Sequence, residues 1–196
     1  MRRKTTQLRI ILATRNKNKV VEIQKIIGDL VSIQPPGYSH EIDISECGRS
    51  LFENSYAKAI FFYRLYGIPT LADDSGLFVD ALDGEPGIYS ARYGRTDEER
   101  IARLLQNLAD KKDRRAAFRV AFVYYYAQGK HEVFEGECVG EIAHEAKGTQ
   151  GFGYDPIFIP KGCKKTFGEL GPATKNRLSH RARALQKFRK YLLKTI

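Results

Sequence analysis

The sequence predicts an α/β fold, a mixed β-sheet with helices packed on it, in a single domain over residues 1–196. Three observations carry that reading. Apolar residues recur with strand periodicity in some segments and with helical spacing in others, and the two kinds alternate along the chain. Two capping signatures, Ser50 with Glu53 and Thr96 with Glu99, open helical stretches between strand-like ones. No internal repeat, low-complexity tract or linker breaks the alternation.

In chain order, residues 8–14 form a β-rich run, Leu-Arg-Ile-Ile-Leu-Ala-Thr, and residues 19–30 place Val20, Ile23, Ile26, Ile27 and Leu30 at helical spacing. The signature at Ser50 opens a second helix that runs to about Tyr66. Pro69-Thr70-Leu71-Ala72 reads as a short strand and Leu77-Phe78-Val79 as the next, with Gly76 free to take the positive φ of a sharp turn between them. Thr96 stands ahead of a helix carrying Ile101, Leu104, Leu105 and Leu108. Residues 116–127 and 131–139 alternate apolar and polar around Gln128-Gly129-Lys130, the pattern of a long hairpin. The last helix carries Leu185, Phe188 and Leu192 on one face.

Composition sets the bounds on function. A hydrophobic content of 42% with 11% aromatics is that of a globular protein with a sizeable core, and leaves little room for long disorder. Cys47, Cys138 and Cys163 lie far apart without paired spacing, so neither a zinc site nor a disulfide framework is suggested, and a reducing cytoplasm fits best. Arg2-Arg3-Lys4 ahead of Leu8 to Ala13 has the look of a signal peptide, but the apolar run is too short and Arg15 ends it. No stretch is long enough to span a membrane. The formal charge of +10 predicts attraction to polyanions, whether nucleic acids, anionic lipids or nucleoside triphosphates, and does not choose among them.

The stretch Ala72-Asp73-Asp74-Ser75-Gly76, continuing through Asp83-Gly84-Glu85-Pro86-Gly87 to Ser90-Ala91-Arg92-Tyr93, is the most informative. It sets two adjacent carboxylates straight after an apolar segment, where they would repel unless a cation joined them. Mg²⁺, a hard ion that prefers carboxylate, water and phosphate oxygens, is the candidate. Three further stretches carry polar or basic groups suited to a phosphate or a flat ring. In Thr14-Arg15-Asn16-Lys17-Asn18-Lys19, short polar groups and lysines stand at a helix start, where backbone N–H groups favour phosphate. The run Gly148-Thr149-Gln150-Gly151-Phe152-Gly153-Tyr154-Asp155-Pro156 is a glycine-rich loop whose Phe152 can stack on a planar group. Lys175-Asn176-Arg177-Leu178-Ser179-His180-Arg181 is a basic run. Taken alone, each has an ordinary reading: an acidic surface turn, a capped helix with solvated lysines, a conformational loop, a basic exposed helix end.

Together and in this order the stretches resemble the inosine triphosphate pyrophosphatase family, enzymes that hydrolyse non-canonical purine nucleoside triphosphates. The resemblance covers nearly the whole chain. It is carried by Thr14-x-Asn16-x-x-Lys19, by Glu46-Cys47-Gly48 with Phe52-Glu53-Asn54 through Lys58-Ala59, by Ala72 to Tyr93, by Gly151 to Pro156 and by Ser179-His180-Arg181. It implies an elongated α/β structure in two lobes around a central active-site cleft, commonly a homodimer. The implied reaction is Mg²⁺-dependent hydrolysis of dITP, ITP and XTP to the monophosphate and pyrophosphate, with no membrane partner and no stable nucleic-acid complex. The family's metal ligands fall on Glu46 and Asp74, and Asp74 is also its base for the attacking water. Residues Thr14, Arg15, Asn16, Lys17, Asn18, Lys19 and Lys58 fall on the phosphate side. Ser75, next to the base, can donate to a phosphate oxygen. Phe152, Gly153, Tyr154, Asp155, Lys175, His180 and Arg181 fall on the base and ribose side. The resemblance gives Asp73 no role, and the basic extension Met1 to Gln7 matches no motif. Two other readings remain: a basic nucleic-acid-binding module using the tyrosines at 124–126, or a pyrophosphatase for another modified nucleotide.

Overall fold

Alternating strand and helix signals resolve into twelve elements in the computed structural model, which describes residues 7–34 and 47–195. They are β1 (Leu8–Leu12), α1 (Lys17–Ile27), β2 (Val31–Gln34), α2 (Leu51–Tyr66), β3 (Thr70–Val79), β4 (Pro86–Gly87), α3 (Asp97–Asn107), β5 (Arg115–Ala127), β6 (Lys130–Ile142), β7 (Phe158–Pro160), α4 (Phe167–Leu178) and α5 (His180–Thr195). Glu46, Arg2, Arg3 and Lys4 lie outside the described residues.

The sheet is mixed, as predicted. β1 runs parallel to β2 and β3, with Leu8 opposite Val31 and Leu12 opposite Leu71. β4 is antiparallel to β3, and β7 to β6. Hydrogen-bonded neighbours follow the order β2-β1-β3-β5-β6-β7, with β4 also on β3. The long hairpin forms where expected: β5 and β6 are joined by Gln128 and Gly129, and Gly129 takes φ 70°. The chain divides into two compact units. One holds the residues up to Asp73 with Phe122–Phe134 and the chain from Leu185, the other Asp74–Ala121 and Glu135–Ala184. Ile11, Ala59, Phe62, Ala72 and Val123 are buried together in the first, and Leu77, Leu104, Ile157, Phe158 and Phe167 in the second.

Helix starts follow the capping chemistry. Asn16 caps α1 by accepting from the amides of Asn18 and Lys19, which begins that helix two residues earlier than its apolar spacing suggests. Ser50 caps α2 by accepting from Glu53 N at 3.1 Å, while Glu53 reaches back to Arg49 N at 2.8 Å, one residue beyond the reciprocal partner. Thr96, Glu99 and Arg95 repeat this arrangement at α3. The reciprocal box, in which each residue accepts from the other's amide, forms at Thr166 and Glu169 of α4. Periodicity gives little sign of α4, because Gly168, Gly171 and Pro172 interrupt it and Gly171 takes φ 75° inside the helix.

One expectation is overturned. β3 is a single strand of ten residues, so Asp73 and Asp74 lie within it and not at a turn. Poor strand formers are held there by neighbours on both sides, and the strand is buried along most of its length. Gly76 is not among the glycines with positive φ. A Cβ on it would sit 2.1 Å from the carbonyl oxygen of Gly87, so glycine is required by the close approach of β4. Ser90 closes the same corner, donating its hydroxyl to Gly87 O at 2.6 Å and accepting from Leu77 N at 2.8 Å. Gly76→Ala is therefore expected to destabilise the protein by about 1–3 kcal/mol, the usual range for overpacking. Urea unfolding measures it, and an unmoved midpoint would show that β4 yields without cost.

Candidate active site

In the first unit, two lysines converge on Asp73. Lys19, one turn into α1, places Nζ 2.8 Å from Asp73 Oδ2. Lys58 on α2 donates Nζ to the Asp73 carbonyl oxygen at 2.7 Å. The Lys58 stem thus reaches β3. The carboxylate pair is expected to need a cation, and for Asp73 Lys19 is one. The Asp73 side chain is fully buried and that of Lys19 17% exposed. A carboxylate so desolvated needs a cation beside it. The first turn of α1 contains Lys17 and Lys19 and no acid. Positive side chains at the positive end of the helix dipole favour an anion there. Thr14 Oγ1 accepts from Asn16 N at 3.2 Å and orders the turn before the helix, while Arg15, Lys17 and Asn18 remain exposed.

In the second unit, Asp74 is buried and its Oδ1 accepts from Ser75 N at 2.9 Å. Arg181 Nη2 lies 3.5 Å from Ser75 Oγ. The loop from Gly148 to Asp155 folds around the Asp155 carboxylate, whose Oδ2 accepts from Phe152 N at 2.8 Å and from Lys175 Nζ at 2.5 Å. Gly148, Gly151 and Gly153 all take positive φ, which lets the chain turn this tightly. Lys175 Nζ stands 4.0 Å from the Phe152 ring centroid, and the Arg181 guanidinium 5.7 Å. Phe152 is half-buried, the condition for a stacking face. Tyr154 is placed otherwise: it packs in the core and donates its hydroxyl to Ser90 O at 3.0 Å, and burial pushes its phenol pKa up.

The basic run does not form an exposed helix end. Lys175, His180 and Arg181 are 5%, 3% and 3% exposed. Ser179 explains their placement. Its amide closes α4 on Lys175 O, while its hydroxyl accepts from Ala182 N to open α5, so the chain changes direction within one residue. His180 then stacks on Phe118 with centroids 4.9 Å apart and planes at 13°. Gly136 on β6 admits this helix start, since a Cβ there would sit 2.0 Å from His180 O. Phe118, Ser90 and Asp97 escape a reading of the sequence. Phe118 looks like any strand aromatic, and Asp97 like an acid in a helix's first turn. Asp97 in fact accepts from Gly153 N at 2.6 Å.

For a metal, Asp74 is a fitting donor, a hard and buried carboxylate. The described residues contain no group of three or more His, Cys, Asp or Glu able to hold an ion. Mg²⁺ does not require one, because it keeps several waters and binds through one or two carboxylates plus substrate phosphates. Glu46, the other carboxylate implied by the resemblance, lies outside the described residues.

The sequence profile of the Ham1 family matches residues 10–191. A protein of Aquifex aeolicus named dITP/XTP pyrophosphatase is 42% identical over 195 residues, a match covering 92% of this chain and 95% of that one. A protein of the same name from Desulfotalea psychrophila is 44% identical over 185 residues, covering 92% and 83%. Among solved structures, a HAM1 protein from Coxiella burnetii has a TM-score of 0.88 at 39% identity, covering 96% of this chain and 100% of its own. The Ham1 protein of Staphylococcus aureus has a TM-score of 0.87 at 35% identity with the same coverage. The resemblance drawn from the motifs and the predicted mixed α/β fold both agree with these matches.

The Lys175–Asp155 pair generates a test of the base-side loop. Lys175→Met removes the buried cation 2.5 Å from Asp155 and is expected to cost about 3–5 kcal/mol of stability. Adding Asp155→Asn should recover part of that loss, as read by denaturant midpoints. A Lys175→Met protein within about 1 kcal/mol of the parent would show that the pair does not anchor the loop.

Proposed function

Because the chain belongs to the Ham1 family, we propose that it hydrolyses the non-canonical purine nucleoside triphosphates dITP, ITP and XTP to the nucleoside monophosphate and pyrophosphate. The observation that carries this reading is the Asp73–Asp74 pair on β3, where Lys19 meets the Asp73 carboxylate, Lys58 donates to the Asp73 carbonyl oxygen, and Asp74 follows as a second buried carboxylate. Hydrolysis of a phosphoanhydride is mostly positioning and charge neutralisation. Lys19, Lys58 and the acid-free start of α1 supply positive charge for the phosphates. Asp74 accepts the proton of the attacking water, and Ser75 donates its hydroxyl to a phosphate oxygen. Asp74 and Glu46 would hold Mg²⁺, which would supply neutralising charge to the phosphates.

On the base side, the ring of Phe152 stacks on the purine, with Lys175 and Asp155 fixing its loop. Hypoxanthine and xanthine carry a carbonyl at the six position where adenine carries an amino group. Donors from His180 and Arg181 pair with the carbonyl and face adenine's amino hydrogens unpaired, which is how a polar site rejects an isostere. The tyrosines invoked for the nucleic-acid reading give it little stacking surface, because Tyr124 and Tyr125 are buried. No helix among the described residues is long and apolar enough to cross a membrane. The family resemblance supports a homodimer, and the free cysteines fit a reducing cytoplasm.

Phosphorus NMR of the reaction with inosine triphosphate and Mg²⁺ should show monophosphate and pyrophosphate. Diphosphate with inorganic phosphate would mean cleavage at another bond and would overturn the proposal. Chelation of the metal should abolish turnover. Asp74→Asn, nearly the same shape without the charge, should lower kcat by about 10²- to 10⁴-fold, the scale of losing a general base. Arg181→Ala should cost about 1–3 kcal/mol in kcat/KM for inosine triphosphate and less for adenosine triphosphate. Unchanged selectivity between the two in steady-state kinetics would show that the base is read by other groups.

A further inference from the structure

We propose that Asp97 is a positioning residue for substrate stacking, holding the Phe152 loop through the backbone amide of Gly153; this rests on the reading of Phe152 as the purine platform. Three successive residues of the loop are each tied down by a different group. Phe152 N donates to Asp155 Oδ2, Gly153 N to Asp97 Oδ2 at 2.6 Å, and the Tyr154 hydroxyl to Ser90 O. The middle tie spans 56 positions of sequence and joins the start of α3 to the loop. Asp97 is not needed to cap that helix, because Thr96 does so by accepting from Glu99 N. Its carboxylate is shared instead: Oδ1 takes the Arg100 Nη1 donor at 2.6 Å, and Arg100 is held in turn by its Nε bond to Gly94 O at 3.0 Å. An anchored arginine thus fixes the aspartate, and the aspartate fixes the amide. Charge-assisted bonds of this length are the strong ones.

Packing cannot replace this tie. Gly153 has φ 62°, and nothing lies within 4 Å of where its Cβ would be. Without the hydrogen bond, the peptide between Phe152 and Gly153 is held by its carbonyl side alone, through a long 3.3 Å bond from Asp155 N to Phe152 O, and the ring loses its alignment against Lys175. Asp97 itself is accessible, with its side chain 40% exposed, so it can be replaced without opening the core. A platform that is misplaced weakens all purines alike, because stacking does not read base edges.

The test is a double-mutant cycle between Asp97 and Phe152, read by steady-state kinetics on inosine triphosphate together with the Gly153 amide proton in nitrogen-edited NMR. Asp97→Ala should raise KM about tenfold with little change in kcat, the effect of losing a hydrogen bond to a charged acceptor. It should also move the Gly153 amide resonance strongly upfield. Asp97→Asn, which keeps an acceptor oxygen, should retain most of the KM and most of the shift. In a Phe152→Ala background, Asp97→Ala should have little further effect on KM, whereas a residue that only stabilises the fold would add its full cost. A Gly153 amide unmoved by Asp97→Ala, or full additivity in the cycle, overturns the proposal. If Phe152→Ala alone leaves KM unchanged, the stacking reading itself fails and the proposal with it. If Phe152→Ala raises KM and Asp97→Ala does not, the stacking reading stands and only the positioning role is lost.

Discussion

A carboxylate in the middle of a buried strand must be matched by a cation, and at Asp73 two lysines from separate helices meet that demand. Lys19 takes the side-chain oxygen and Lys58 the carbonyl of the same residue, so α1 and α2 are both registered on one peptide of β3. Salt bridges at the surface contribute little to stability, but a pair whose acid is fully desolvated has to be satisfied wherever it occurs. The arrangement therefore serves two purposes. It permits a polar strand in the core, and it holds two ammonium groups at a fixed point, one on the Asp73 carboxylate and one on its carbonyl oxygen.

Successive side chains of a strand point to opposite faces, and this gives neighbouring aspartates different surroundings. Asp73 faces the lysines. Asp74 has one oxygen held by the adjacent Ser75 amide. Two identical residues thereby acquire different partners. The second unit repeats the principle. Asp155 is a hub for Phe152 and Lys175, while Tyr154 beside it is turned into the core to hold Ser90.

Four of the helices and the long hairpin were legible because their signals are local: caps at Ser50 and Thr96, helical spacing over Leu185, Phe188 and Leu192, and a glycine between two alternating runs. The motif residues were legible as a set because the resemblance spans the chain. Their partners were not. That Gly76 answers to Gly87, that Asp97 answers to Gly153, and that His180 lies on Phe118 are relations between residues distant in sequence, and no periodicity records them. The break assigned at Asp73-Asp74 failed for a related reason. Local propensity argued against a strand there, and the pairing of β3 with its neighbours prevailed.

The single residue that separates α4 from α5 fixes more than a change of direction. With helical spacing, Arg181 lies on the same stripe as Leu185, Phe188 and Leu192, all of them buried. The start of α5 thus sets where the guanidinium emerges, beside Ser75 and the Phe152 ring. This placement has an evolutionary corollary. One residue inserted or deleted at Ser179 would turn the start of α5 by about 100° and carry the arginine away from Ser75. The length of this junction is thus closed to drift, and variation in chain length must be taken up in loops elsewhere.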